Sequence, residues 1–280
     1  MLERTSYPAG VPCWVDSAQP DVDAAVAFYS GLFGWQFQET MPPEARASYR
    51  IAHLRGSRVA AVGSQEPGAQ HRPFWNTYVS VANTDDTAAK VVPAGGTIVS
   101  PPMDVGTAGR MAVLRDPAGA VLSLWGTTMG AQLVNEPGTW NWSDLQTRDI
   151  AGAAAFYGQV FGWEATPVDF GAGEARMWRM PGYGDFLEQH NPGVRQGHID
   201  AGAPPGFTDA IGWLQQQTDD GPAHWDVTFS VDDADRIADR AQQLGGTVVV
   251  PPFDVPYARI GVVADPQGAA FNISKYNPPG

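Results

Sequence analysis

Apolar residues along this chain keep two rhythms, one helical and one alternating. Val22, Ala25, Val26, Tyr29 and Phe33 recur at helical spacing, which predicts a helix over 22–32 with one face toward a core. Asp21 precedes it as an N-cap, because its carboxylate can accept from the unpaired N–H groups of the first turn. Gly34 ends it, since glycine takes the left-handed conformation without a Cβ clash. The short runs at 11–18, 34–38, 49–54 and 58–63 read as strands, giving one β-α-β-β-β unit. A second unit follows: strand 75–81, helix 84–93 with Pro93 at its end, a Gly95-Gly96 turn, and strands near 97–100, 110–115 and 120–125. The DPAG segment at 116–119 turns between the last two strands.

The same order then recurs. Strand 140–145, helix 149–160 and strands near 162–167, 175–180 and 209–214 form a third unit. Strand 224–230, helix 232–244 and strands near 247–250, 259–264 and 269–274 form a fourth. Residues are shared as well as rhythm: CWVDSAQPDVDAAVAFYSGLFGW at 13–35 aligns with NWSDLQTRDIAGAAAFYGQVFGW at 141–163, at an offset of 128 positions (156 − 28). FWNTYVSV at 74–81 matches HWDVTFSV at 224–231, and RDPAGAVLSL at 115–124 matches ADPQGAAFNI at 264–273. A repeat of this length is a duplicated domain. The expected division is 1–130 and 139–280, with 127–138 as linker. In copy one only Arg55-Gly56-Ser57 joins two strands. In copy two that hairpin tip grows to 182–206, rich in Gly, Pro and polar residues, which reads as a functional loop or a tolerated surface insertion.

Composition narrows the class. Of 280 residues, 43% are hydrophobic and 11% aromatic, enough for two cores. With 17 basic and 30 acidic residues the formal charge is −13, a field that repels phosphate backbones and anionic lipid. Neither nucleic acid nor a membrane is therefore an expected partner. The single cysteine, Cys13, excludes an intrachain disulfide, and no apolar signal core or bilayer-length run occurs, so a cytoplasmic protein is expected.

Paired β-α-β-β-β units, the FY…FGW helix end, the Gly-Gly turn and the DPxG hairpin make the chain resemble the vicinal oxygen chelate superfamily. That group includes glyoxalase I, extradiol dioxygenases and bleomycin-resistance proteins, and the likeness is greatest to two-domain actinobacterial glyoxalase-like proteins. The resemblance implies an α+β fold of tandem glyoxalase-like domains, four units whose mixed sheets curl into cups. It implies metal-ligand positions at Trp14 and Trp142, at Asn76 and Asp226, at Ser123 and Asn272, and near Ala61 in copy one and Gly212 or Leu214 in copy two. Transition ions need three or more imidazole, carboxylate or thiolate donors. Copy one offers none at these positions and copy two only Asp226, so no metal and no cofactor is expected.

Side chains alternate along a strand, so if Trp14 faces the cup, Asp16 does too. The same parity selects Asn76, Tyr78, Ser123 and Trp125 in copy one, and Trp142, Asp144, Asp226, Thr228, Asn272 and Ser274 in copy two. Such an aromatic cavity with a few placed polar groups is the usual make-up of a small-molecule site. Asp16 and Asp144 read either as acid/base groups with raised pKa or as caps of a turn or the following helix, and their duplication favours the cap. Asp226 stands where copy one has Asn76, which makes it the better candidate for chemistry confined to one cup. Its bland alternative is a strand residue paired with an arginine. Arg110 and Arg259, each six residues before a DP turn, could clamp a ligand carboxylate or could fix a strand through a nearby Asp. His190 and His198 fall in the insertion and are expected to be solvated, with a lid base as the alternative; His224 reads as structural. His53 and His71 have no partner identifiable from sequence. Cys13 should point away from the cup as a buried, inert thiol.

The expected function is metal-independent binding of an apolar, aromatic or polycyclic small molecule in specialised metabolism, as an antibiotic-binding, self-resistance or tailoring protein. One alternative is a cofactor-independent enzyme of lyase or isomerase type. In it an Asp acts as acid or base on an enolisable substrate, and Asn76 or Asn272 stabilises the enolate. A weaker alternative is a glyoxalase-type lyase acting on methylglyoxal–thiol adducts. The chain is expected as a monomer (a pseudo-dimer) or a homodimer. The repeat allows two pairings: consecutive units sharing a cup, or unit one with unit four, which would place Trp14 beside Asp226 and Asn272.

Overall fold

The computed structural model describes residues 3–66, 68–69, 72–127, 129–169 and 174–278. The first copy contains β1 (Pro12–Gln19), α1 (Val22–Phe33), β2 (Gln36–Glu39), β3 (Tyr49–Leu54), β4 (Ser57–Ser64), β5 (Trp75–Ser80), α2 (Thr84–Val91), β6 (Thr97–Val105), β7 (Gly109–Arg115) and β8 (Val121–Trp125). The second contains β9 (Thr139–Thr147), α3 (Ile150–Phe161), β10 (Glu164–Asp169), β11 (Glu174–Arg179), α4 (Tyr183–His190), α5 (Val194–Asp200), β12 (Ala210–Gln216), β13 (His224–Ser230), α6 (Ala234–Gln243), β14 (Thr247–Val255), β15 (Ala258–Ala264) and β16 (Ala270–Tyr276). Each copy builds one curled, eight-stranded mixed sheet, in the order β2-β3-β4-β1-β5-β8-β7-β6 and β10-β11-β12-β9-β13-β16-β15-β14. This is the duplication expected from the repeat and the α+β, tandem-domain architecture that the resemblance implies.

The central seam of each sheet decides how units share a cup. β1 pairs antiparallel with β5, setting Asp16 opposite Asn76, and β9 pairs with β13, setting Asp144 opposite Asp226. Consecutive units therefore share a sheet. Trp14 and Asp226 lie on different sheets, so unit one does not share a cup with unit four.

The caps explain the helix limits. Asp21 accepts from Ala24 N–H at 3.0 Å and Asp149 from Gly152 N–H at 2.8 Å, while Gly34 (φ 74°) and Gly162 (φ 78°) terminate α1 and α3. The capping carboxylates are thus Asp21 and Asp149, not Asp16 and Asp144. Helix α2 stops at Val91, two residues short of the expected 93, and leaves Pro93 outside.

The repeated motifs prove to be docking parts. Tyr29 of α1 donates to Asp265 Oδ2 in the other copy's DP turn at 2.9 Å, and Tyr157 of α3 donates to Asp116 Oδ2 at 3.0 Å. Trp75 Nε1 donates to Tyr29 Oη and Trp225 Nε1 to Tyr157 Oη. A Cβ on Gly96 would stand 2.7 Å from Phe156 Cε2, and one on Gly246 3.0 Å from Phe28 Cε2, so the Gly-Gly turns make room for the other copy's Phe-Tyr pair. The helices α1, α2, α3 and α6 pack across the copies, α1 on α6 and α2 on α3, and the sheet faces turned away from the cups meet at the centre. There Thr77 Oγ1 and Ser143 Oγ share a hydrogen bond of 2.7 Å, and Trp75 meets Phe229 edge-on at 5.0 Å.

The linker is not free. Ala131 N–H donates to Cys13 O and Gln132 N–H to Arg58 O, with Ala131 and Leu133 buried. The insertion is not an unstructured loop either. It folds into α4 and α5 and leads into a short 3-10 turn at Phe207–Asp209, with Tyr183 buried and Phe186 and Leu187 against the core.

Candidate functional site

In the first cup, Trp14 and Asp16 on β1, Asn76 and Tyr78 on β5, and Ser123 and Trp125 on β8 share one face, as their registers require. Asp16 is buried, and its Oδ2 accepts from Tyr78 Oη at 2.8 Å and Tyr49 Oη at 3.0 Å. Tyr49 in turn accepts from Trp14 Nε1 at 3.0 Å. Burial lifts the Asp16 pKa to about 6, and the phenols and Asn76 oppose that rise by donating to the carboxylate. Asn76 Nδ2 donates to Ser123 Oγ at 2.8 Å. The wall opposite is apolar. Tyr78 meets Trp125 edge-on at 6.2 Å, and the register continues from Trp125 to Met111 to Met103, the last 49% exposed.

In the second cup, Trp142 and Asp144 share a face with Asp226, Thr228, Asn272 and Ser274. Asp144 accepts from Trp213 N–H at 3.2 Å and from Thr228 Oγ1 at 3.3 Å, both long bonds, and Asn272 Nδ2 reaches Thr228 Oγ1 at 3.4 Å. Burial first, and then the charge of Asp226, raise the Asp144 pKa to about 8. Burial also raises Asp226, against the attraction of His224. His224 Nε2 lies 3.5 Å from Asp226 Oδ1, so the ionic neighbour of Asp226 is a histidine and not the arginine of the alternative reading.

A register argument corrects the fourth position. Asp16 pairs with Ala61 and Asp144 with Trp213, so Trp213 is the counterpart of Ala61. Gly212 and Leu214 point to the opposite face, since a one-residue slip exchanges the faces. Trp213 stands edge-on to Trp142 at 6.1 Å, and Phe207, just after the insertion, stands edge-on to Trp142 at 5.9 Å. With Met177, Val168 and Ala210 these rings form an apolar cluster apart from the main core. Tyr49, Met103 and Met111 in cup one and Trp213, Met177 and Phe207 in cup two are lining residues that sequence reasoning missed. Strand alternation from Ile51 could have found Tyr49, but nothing local marks Phe207.

The structure places Arg110 and Arg259 elsewhere. Met111 and Ile260 occupy the cup faces of β7 and β15, so the neighbouring arginines face the helices. Arg110 makes a bidentate pair with Asp85 on α2 and reaches Asp104 at 3.0 Å; Arg259 does the same with Asp235 on α6 and reaches Asp254 at 3.2 Å. They fix strands to helices and do not clamp a ligand. His190 Nδ1 is 2.8 Å from Phe186 O on its own helix and is exposed. His198 is half-buried against Phe207 at 5.1 Å and Thr208 Oγ1 at 3.1 Å, and burial lowers its pKa. His53 lies on β3, and His71 lies outside the described residues. Cys13 is fully buried on the face away from the cup, where burial pushes its thiol pKa up. No helix among the described residues is long and apolar enough to cross a membrane.

Comparisons agree with this architecture. A family model described as the Glyoxalase/Bleomycin resistance protein/Dioxygenase superfamily matches residues 14–124, and one described as a Glyoxalase-like domain matches 142–274. The putative glyoxylase CFP32 of Mycobacterium tuberculosis (strain CDC 1551 / Oshkosh) is 37% identical over 99% of both chains. The anthracycline biosynthesis protein DauV of Streptomyces sp. (strain C5) is 33% identical, covering 96% of this chain and 94% of its own. Among solved structures, the Mn(II)-bound glyoxalase from Novosphingobium aromaticivorans shares the fold at a TM-score of 0.57 and 15% identity, covering 98% of this chain and 83% of that one.

A metal of that kind does not fit the donors present. The corresponding strand positions hold Trp14, Ala61, Asn76 and Ser123 in cup one and Trp142, Trp213, Asp226 and Asn272 in cup two. Asp16 is already committed to two phenols, and among the described residues no three His, Cys, Asp or Glu side chains converge. Repeated units, sheet order and matched segments together place this chain in the glyoxalase/bleomycin resistance protein/dioxygenase superfamily, as a tandem two-domain member.

Proposed function

We propose that the protein binds an apolar, aromatic or polycyclic small molecule in its cups without a metal ion, in the setting of specialised metabolism. The carrying observation is the first cup. Trp14, Tyr49 and Tyr78 are held in place through Asp16, facing an apolar wall of Trp125, Met111 and the exposed Met103. Rings fixed in this way stack on a flat ligand at little conformational cost, each pair contributing about 0.5–1.5 kcal/mol beyond burial. Methionines beside them adapt to its outline. The likeness to an anthracycline biosynthesis protein supports a polycyclic ligand, and the donor set supports metal independence. Sequestration for self-protection and presentation for tailoring both use such a site.

The test is titration of intrinsic tryptophan fluorescence with 2-naphthol and larger fused-ring probes, before and after chelator treatment. Saturable quenching that survives the chelator and weakens in Trp14→Leu is expected. Binding that requires Zn, Mn, Fe or Ni, or no binding by any fused-ring probe, would sink the proposal.

A second reading has one observation in its favour. Asp144 and Asp226 form a carboxyl pair in which burial and like charge keep a proton near neutrality, the arrangement an acid/base enzyme needs for an enolisable substrate. Recovery of an enolisable ligand with solvent deuterium exchanged in, lost in Asp226→Asn, would select it.

A further inference from the structure

The two cups descend from one pattern, so each serves as a control for the other. At the centre of cup one, Asp16 faces Asn76 and is satisfied by two phenols. At the centre of cup two, Asp144 faces Asp226, with a threonine at 228 where cup one has Tyr78. Cup one has Ala61 where cup two has Trp213. In cup two Phe207, from the turn that follows the insertion, stands against Trp142. The strand position of Asp226 does not require a carboxylate, because the same fold is built with Asn76. Like charges directly opposite on paired strands destabilise a sheet, the more so when buried.

Among the described residues no lysine or arginine answers this charge in the contacts that surround the pair, and the one basic neighbour is the imidazole of His224, 3.5 Å from Asp226 Oδ1. Asp144 accepts from the Trp213 backbone on β12 and Thr228 on β13, and Asp226 is its one charged neighbour. Asp226 is flanked by His224 on β13, Gln146 on β9 and Asp219 in the β12–β13 connection, the last a further negative charge. From β16 comes only Asn272, through Thr228. Arg259 of β15 faces the other way, onto α6. Phe207 and Trp213 each stand edge-on to Trp142, at 71° and 69°, so the ring planes around the pair differ in orientation. Aromatic faces beside desolvated carboxylates are the surroundings that an organic ammonium group prefers over water.

We propose that cup two takes an organic cation, an ammonium group on an apolar body, seated against Trp142 and Trp213 with Asp144 and Asp226 as its counter-charge. The inference rests on the reading of the cups as ligand sites and adds the charge of the ligand that one of them takes. Two of the replacements that separate cup two from cup one, Asn to Asp and Ala to Trp, follow from it. The ligand cation displaces the proton that Asp144 holds in the free protein, so binding releases protons at neutral pH.

The test compares trimethyl(phenyl)ammonium with tert-butylbenzene, a neutral probe of the same shape, on the full chain by calorimetry in two buffers of different ionisation enthalpy. The expected result is at least tenfold tighter binding of the cation, proton release on binding, and loss of at least tenfold in Asp144→Asn and in Asp226→Asn. Asp226→Asn is also expected to raise the Tm of the free protein at neutral pH, since the amide removes the like-charge cost that the pair meets by holding a proton on Asp144, and Asn76 shows that it fits. Equal affinity for the two probes, as a pair kept for proton transfer on a neutral substrate predicts, would overturn the inference. So would cation affinity unchanged in Asp226→Asn, or a lowered Tm in that variant. If neither probe binds while 2-naphthol still quenches tryptophan, the cation site falls and the aromatic-binding reading stands. If 2-naphthol fails as well, both fall.

Discussion

Stability should decline as pH rises from about 5 to about 8, and Asp144→Asn should remove most of that decline. The Asp144 carboxyl is buried with only two long hydrogen bonds, and burial with the charge of Asp226 moves its pKa from 3.8 to about 8. In the unfolded chain it ionises near its ordinary value. Between the two values the folded protein holds a proton that the unfolded chain has lost, so stability falls by about 1.4 kcal/mol per pH unit. The contribution is complete below about pH 4 and lost as pH climbs through about 8. Three units from pH 5 to pH 8 set a ceiling of about 4 kcal/mol, and water entering the cup brings the expectation to roughly 2–4 kcal/mol. Asp16 adds a fall of the same sign that ends near pH 6. The lowered carboxyls of Asp85 and Asp235 act in the opposite sense, but only in the acid range below their ordinary values. Urea unfolding followed by tryptophan fluorescence at pH 5, 6, 7 and 8 reads the effect as a shift in midpoint at constant slope. Parallel pH profiles for the parent and Asp144→Asn would refute the reasoning, because the variant has no proton to exchange at that position.

Other outcomes follow from the same contacts. Tyr157→Phe strips Asp116 Oδ2 and Trp225 Nε1 of a buried partner and should cost about 1–3 kcal/mol in chemical denaturation, and Tyr29→Phe should cost less, because Gln19 Nε2 still donates to Asp265 Oδ2. Arg110→Ala removes a solvent-exposed pair facing α2, and should leave fused-ring quenching and its midpoint unchanged in titration. Phe207→Ala should uncover Trp142, shifting the emission maximum to longer wavelength and weakening trimethyl(phenyl)ammonium in cup two, with no change in 2-naphthol binding to cup one.

Much of the fold was legible because duplication and alternation are local properties. The helix of Val22, Ala25 and Tyr29, its Asp21 cap and its Gly34 stop need only neighbours in sequence, and strand parity placed Trp14, Asp16, Asn76 and Tyr78 on one face. The departure from a metal-ligand set could likewise be read from residue types alone. The insertion was less legible. Gly and Pro at 182–206 signal turns, yet Tyr183, Phe186 and Leu187 gain their helix by packing on a core that the sequence does not display.

By itself the sequence determined four β-α-β-β-β units, their pairing into two similar halves, and aromatic and amide groups at the centres of the strands. Only the tertiary structure decided that consecutive units share a sheet, that Tyr29 and Tyr157 bond across to the other copy's DP turn, and that Trp213 rather than Gly212 or Leu214 faces the cup. It also decided that Asp144 and Asp226 meet, and that Phe207 covers Trp142. The physical reason is common to all of these. Helix and strand periods are set by bonds between near neighbours, whereas register, face and charge environment are set by partners tens to hundreds of residues away, and an error of one position in that pairing exchanges core for cup.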